Sequence, residues 1–242
     1  MPLLDHFHPP LSKQRHCDSF HGGWAEAIAR HLNEDWLPEH FYAEARVKIG
    51  SRVEIDVATH EEANGHMPTV KDGGVAVWAP AKPIATALLD FAGLDVFEIN
   101  ILNDEEGPKT VAAIELVSPA NKDRPAHRQA FAIKCASYLQ DGISVMIVDV
   151  VTEQHGNLHA DLLELLKLKI ATPGQAADDL YATAYRPMIG AEQSRVEIWA
   201  EALGLGASLP TLPLWLTAEL ALPVNLEETY RAACAARRIE FT

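Results

Sequence analysis

Three residues in the middle of this chain stand in an order with chemical meaning. A carboxylate lies in a strand-like run (Asp56), a second in a later strand-like run (Glu115), and a lysine in the helix-like run that follows (Lys134). Two carboxylates on neighbouring strands can share one Mg²⁺, a hard ion that takes oxygen ligands and keeps several waters; Mn²⁺ is its usual substitute. A nearby ammonium can orient the attacking water and offset charge growing on a phosphate. Glu115 is the strongest of the three, because its strand face otherwise holds Val111, Ala113 and Val117. A carboxylate there is expensive to bury unless it is paired or metal-bound. Asp56 shares the polar side of its strand with Arg52 and Glu54, where an ordinary solvated residue is equally at home. Lys134 lies three residues after Phe131 and four before Tyr138, bordering an apolar stripe. It can serve a site, cover the core with its stem, or form a simple ion pair with Glu115 that needs no catalysis.

Other groups invite chemistry less strongly. Lys122, Arg124 and Arg128 form a small basic group beside Glu115, suited to phosphate but also to a solvated loop, with Asp123 among them. Asn121 reads as turn chemistry. Asp149 interrupts an apolar run, where it can cap a network at a strand end or reach the same site; the structural role is the expected one. His6, His8, His16 and His21 precede or open the first helix without metal-ligand spacing, and most of them read as surface residues. His155 and His159 stand four apart without a supporting carboxylate pattern, and no GxGxxG, P-loop, GxSxG or HExxH occurs.

The elements that would position these residues follow from periodicity. Phe20, Trp24, Ile28 and Leu32 recur every four residues and predict a helix over Asp18–Leu32. Phe41–Ile49 alternates as a half-buried strand. Gly50-Ser51 suits a two-residue turn into a second strand, Arg52–Ala58. Residues 59–94 read as an insertion, polar and Gly-rich up to Gly74, with a short strand near Val75–Trp78. Asp95–Leu102 and Thr110–Val117 predict a hairpin around Asp104–Pro108, and 118–125 a loop. A helix over Ala126–Gln140, capped by Gly142, leads to Ile143–Val151, apolar and β-branched like a central strand covered on both faces. A short helix over Asn157–Leu166 and strands near Leu180–Tyr185 and Arg195–Trp199 follow. Leu203–Pro223 is proline-punctuated and reads as irregular. Asn225 with Glu228 forms a capping box for a last helix ending near Arg238.

The chain is 242 residues long with 48% hydrophobic residues, enough for a sizeable core. Alternating helical and strand-like runs place it among α/β proteins, with a mixed β-sheet flanked by helices. The expected organisation is a single domain, residues 1–242. Its core spans about 18–151 with the insertion at 59–94, and a C-terminal extension, 152–242, packs on that core. No apolar run approaches the ~20 residues of a membrane span, and no secretion signal is read at the start. Cys17, Cys135 and Cys234 are odd in number and far apart, against a disulfide framework and for reduced thiols in the cytoplasm. The formal net charge of −14 repels phosphate backbones at long range, which disfavours a large nonspecific nucleic-acid footprint but not a local cationic or metal-loaded pocket. A homo-oligomer is compatible with the composition.

The run Ala113-Ile114-Glu115-Leu116-Val117-Ser118-Pro119-Ala120-Asn121-Lys122 resembles the central signature of a bacterial family catalogued as domain of unknown function 4058. The likeness continues through Phe20-His21, Arg52–Val57, Tyr138-Leu139 with Gly142, and Leu209–Leu214, and so spans nearly the whole chain. That family looks distantly related to the PD-(D/E)XK phosphodiesterases. The resemblance implies a restriction-endonuclease-like core with insertions and a C-terminal extension. Asp56 and Glu115 would then be the metal-binding carboxylates, Mg²⁺ the cofactor and nucleic acid the substrate. The lysine of that superfamily normally stands two residues after the second carboxylate, where this chain has Val117. Some members carry it on the following helix, which points to Lys134, with Lys122 a second candidate. His21 and Glu54 are possible supporting residues. The alternative is a catalytically silent protein of the same fold, serving protein interaction or oligomerisation.

Overall fold

A computed structural model describes residues 2–48, 96–105, 107–190 and 194–239. The chain divides into two units, Met1–Ile49 with Leu94–Thr242, and Gly50–Gly93. The expected turn at Gly50-Ser51 and the strands at Arg52–Ala58 and Val75–Trp78 lie outside the described residues, and Asp56 and Glu54 with them.

The first unit is a mixed α/β structure built on a six-stranded sheet. Its strands are β1 (Phe41–Lys48), β2 (Val96–Asn103), β3 (Lys109–Leu116), β4 (Ser144–Asp149), β5 (Leu180–Met188) and β6 (Arg195–Leu203), and they lie side by side in chain order. Every pairing is antiparallel except β3 with β4. That parallel step requires a crossover, made by the one-turn α3 (Pro119–Lys122) and by α4 (Pro125–Gln140). The expected loop at 118–125 thus contains a helical turn, which Ser118 and Asn121 close as a reciprocal cap. β4 is buried at all six positions, as its apolar run predicts of an inner strand.

Helices cover both faces. α1 (Leu11–Gln14) is a single turn, and α2 (Cys17–Asp35) packs on β1 and β2 through the buried stripe Phe20, Trp24, Ile28, Leu32. Neighbouring residues of a strand point to opposite faces. Phe97 of β2 meets His21 of α2, while Glu98 meets Lys134 and Tyr138 of α4. α2 and α4 therefore lie on opposite sides of the sheet. α5 (Leu158–Leu165) packs beside α4, with Asn157 accepting from the Ala160 amide as its cap. α6 (Leu226–Ala236) packs on α2, and the Trp24 indole donates to Thr229 Oγ1 at 3.1 Å.

The segment 152–242 contributes β5 and β6 to the sheet itself. Leu203–Pro223, expected to be irregular, contains a hairpin of β7 (Thr211–Trp215) and β8 (Ala221–Asn225). Its prolines misled the reading: Pro213 stands opposite Pro223. Neither residue has an N–H to give, so the pair occupies a non-hydrogen-bonded position of a ladder with two free edges, where proline costs little.

Candidate functional site

β3 brings Glu115 to the α4 face of the sheet, where its residue is only 2% exposed. Directly across the antiparallel pairing, on β2, stands Glu98, 6% exposed. α4 lays Lys134 over both. Its ammonium is 2.5 Å from Glu115 Oε1 and 3.9 Å from Glu98 Oε2, and 5.6 Å from the Phe131 ring centroid. The lysine side chain is 33% exposed, against 2% for Glu115 and 8% for Glu98. One turn further along α4, the Tyr138 hydroxyl donates to Glu98 Oε1 at 2.5 Å. Apart from Lys134, Glu115 Oε1 has no hydrogen-bond partner among the described residues.

The electrostatics follow from two carboxylates sharing one ammonium. Burial pushes the Glu115 carboxyl up to about 7; Lys134 pulls it back, and Glu98 adds to the rise. Burial opposes the Lys134 charge, but Glu115 and then Glu98 outweigh it and hold the ammonium above its ordinary value. Burial, then the bond to Glu98, raises the Tyr138 phenol. Burial beside the same carboxylates also pushes the Cys135 thiol well up, so it is an inert packing group. With both acids ionised the cluster keeps one negative charge in excess.

Of the residues singled out in the sequence, the structure brings Glu115 and Lys134 together. Asp56 and Glu54 lie outside the described residues. His21 belongs to the opposite face of the sheet: it is fully buried against Phe7 and Phe97, with neither ring nitrogen hydrogen-bonded among the described residues, and burial lowers it to about 3. Lys122 is also elsewhere. It is buried against Asp149, Nζ to Oδ2 at 3.0 Å, and Asp149 Oδ1 accepts from the Val151 amide. The basic group beside Glu115 is engaged throughout, since Arg124 pairs with Asp123 and Arg128 with Asp161. His6, grouped with the surface histidines by its sequence context, is buried, and so is His159. His6 Nε2 hydrogen-bonds Tyr230, and His159 bonds Tyr185 and Thr172.

Glu98 is the member of the cluster that sequence reasoning missed. In Phe97-Glu98-Ile99-Asn100-Ile101 the alternation reads as one apolar and one solvated face, but α4 covers the second face as well. The sequence held no signal for the pairing: counting back from the Asp104–Pro108 turn sets Ile114 opposite Glu98, and an irregularity between Ile101 and Leu102 shifts the register by one to bring Glu115 there.

Among the described residues no group of three histidine, cysteine or acidic side chains is placed to hold a metal ion, and no helix is long and apolar enough to cross a membrane. On the α4 face the charged oxygen donors among the described residues are Glu98 and Glu115, which stand opposite each other. No protein-family profile, curated protein or solved structure matches the chain.

Proposed function

We propose that this protein is a nuclease-like phosphodiesterase acting on nucleic acid, with Glu115 and Asp56 as carboxylates for Mg²⁺ and Lys134 as the cation of the site. The supporting observation is the seating of Lys134, from the helix after β3, directly on Glu115. The chain thereby supplies on α4 the ammonium that Val117 does not supply on the strand. The lysine side chain is 33% exposed and that of Glu115 only 2%, so the cation is the more accessible member of the pair. Lys134 would neutralise the phosphate being attacked and Tyr138 would fix Glu98 beside it. Bound at such a site, Mg²⁺ polarises phosphoryl oxygens and lowers the pKa of attacking water.

One observation favours a second reading, a catalytically silent nuclease-fold protein serving interaction or oligomerisation. A direct 2.5 Å pair at a nearly inaccessible Glu115 is what charge neutralisation without a cation would produce. The test assays the purified full chain for Mg²⁺- or Mn²⁺-dependent cleavage of single- and double-stranded DNA and RNA, beside Glu115→Gln and Lys134→Met. A phosphodiesterase loses at least ~100-fold in rate from either change, because each removes a group that stabilises transition-state charge. If wild type cleaves nothing and Glu115→Gln only shifts the melting temperature, the second reading holds.

A further inference from the structure

On the α4 face of the sheet, oxygen donors outnumber the cations that satisfy them. Glu98 and Glu115 stand directly opposite each other on adjacent strands, an arrangement that sets their Cβ atoms ~5 Å apart. Two residues along β2, on the same face, is Asn100, 2% exposed, and its amide oxygen has no hydrogen-bond partner among the described residues. A buried, unsatisfied acceptor calls for an explanation, an ion being one of them. Its register partner on β3 is Ala113, a small residue that offers no competing polar group. Across β2 on the other side, Arg46 of β1 stands opposite Glu98, exposed and without an ion pair among the described residues.

We propose that Glu98, Glu115 and Asn100 form an all-oxygen site for one divalent cation, Mg²⁺ or Mn²⁺, in which Lys134 gives way as the ion enters. Carboxylate and amide oxygens are the hard ligands such ions select. Lys134 is the gate because its side chain is 33% exposed while those of Glu98 and Glu115 are 8% and 2% exposed. The inference deepens the phosphodiesterase reading and rests on it for the purpose of the ion, not for its binding. It assigns metal ligation to two residues, Glu98 and Asn100, that the chain's resemblances leave without a role.

The experiment titrates Mn²⁺ alone into the full chain near neutral pH, reading the loss of the free-ion paramagnetic resonance signal. Wild type should bind one ion. Glu98→Gln should weaken binding ~10-fold or more, the scale seen when a ligand's environment is altered. Asn100→Asp adds a charge to the same donor set and should tighten it ~10-fold, while Lys134→Met, removing the competing ammonium, should also tighten it. Asn100→Asp guards against a misfolded Glu98→Gln, since lost packing does not raise affinity. Should Asn100→Asp leave affinity unchanged or weaken it, or should no Mn²⁺ bind in the millimolar range, the site is refuted. Binding abolished by Asp56→Asn and Glu115→Gln but untouched by Glu98→Gln refutes the present assignment and leaves the phosphodiesterase reading standing. Binding that follows the expected pattern without cleavage of any nucleic acid does the reverse.

Discussion

At the scale of single residues, the chemistry turns on how a buried carboxylate is kept. Glu115 was legible as unusual because its strand neighbours are apolar. Its closest companion, Glu98, was not, because alternation cannot show which face a helix will cover. The pair makes the role of Lys134 depend on pH. Lys134→Met leaves Glu115 beside Glu98 without the ammonium that lowers its pKa, and the carboxyl must then bind a proton or carry an uncompensated charge. Breaking a buried pair costs ~3–5 kcal/mol. The partial exposure of Lys134 reduces the expectation to about 2 kcal/mol at pH 8. The sign with pH is fixed by linkage: a carboxyl whose folded value is raised contributes stability that is present below its unfolded pKa and lost as pH rises through the folded one. Near pH 5 Glu115 is protonated in the variant and the cost should fall below about 1 kcal/mol. Urea unfolding of wild type and variant at the two pH values measures this, and an equal cost at both would show that Glu115 is not the group left uncompensated.

At the scale of elements, the strands and helices most visible in the sequence were those whose pattern is set by one neighbour. α2 follows its four-residue stripe, the β2–β3 hairpin its turn, and β4 its unbroken apolar run. What escaped was masked by local composition. The β7–β8 hairpin hid behind its prolines, and the one-turn α3 behind a loop composition. α3 also shows why Lys122 is not a site residue. It drives an ammonium that is 1% exposed against Asp149, 0% exposed, and so fastens the crossover to the end of β4. Lys122→Met should strand the Asp149 charge and cost ~3–5 kcal/mol, whereas Lys122→Met with Asp149→Leu should recover most of it. A remainder of about 1 kcal/mol is expected for the Val151 amide, which loses its acceptor. Equilibrium denaturation of the single and double variants checks both. If the double variant were as unstable as the single, the ion pair would not be what makes Lys122 matter.

At the scale of the whole molecule, the charged surface and the buried histidines pull stability in a direction that composition alone did not show. The formal charge of −14 reads as a solvated acidic shell, and the N-terminal histidines read as part of it. Sequence spacing could not reveal that His6 is stacked on Phe20, with ring centroids 3.7 Å apart, or that His21 sits between α2 and β2. Burial lowers His6 to about 4, His21 to about 3 and His159 to about 4. Each is neutral in the fold, while in the unfolded chain each takes up a proton near pH 6.5. Their contribution is therefore complete above pH 6.5 and is lost as pH falls toward the folded values. Glu115 and Asp149, both raised by burial, act in the opposite sense over part of that range. Three histidines against two carboxyls leave a net uptake of one to three protons on unfolding, a slope of roughly 1.4–4 kcal/mol per pH unit. The melting temperature should accordingly drop steeply between pH 6.5 and 4.5. His21→Leu should flatten that drop by about one proton and raise stability at pH 7 by about 1 kcal/mol, because the imidazole it removes is buried with no hydrogen bond. Calorimetry across this range, with and without the substitution, reads both effects. A melting temperature that holds level or climbs on acidification from pH 6.5 would mean that the three rings are not kept neutral by the fold.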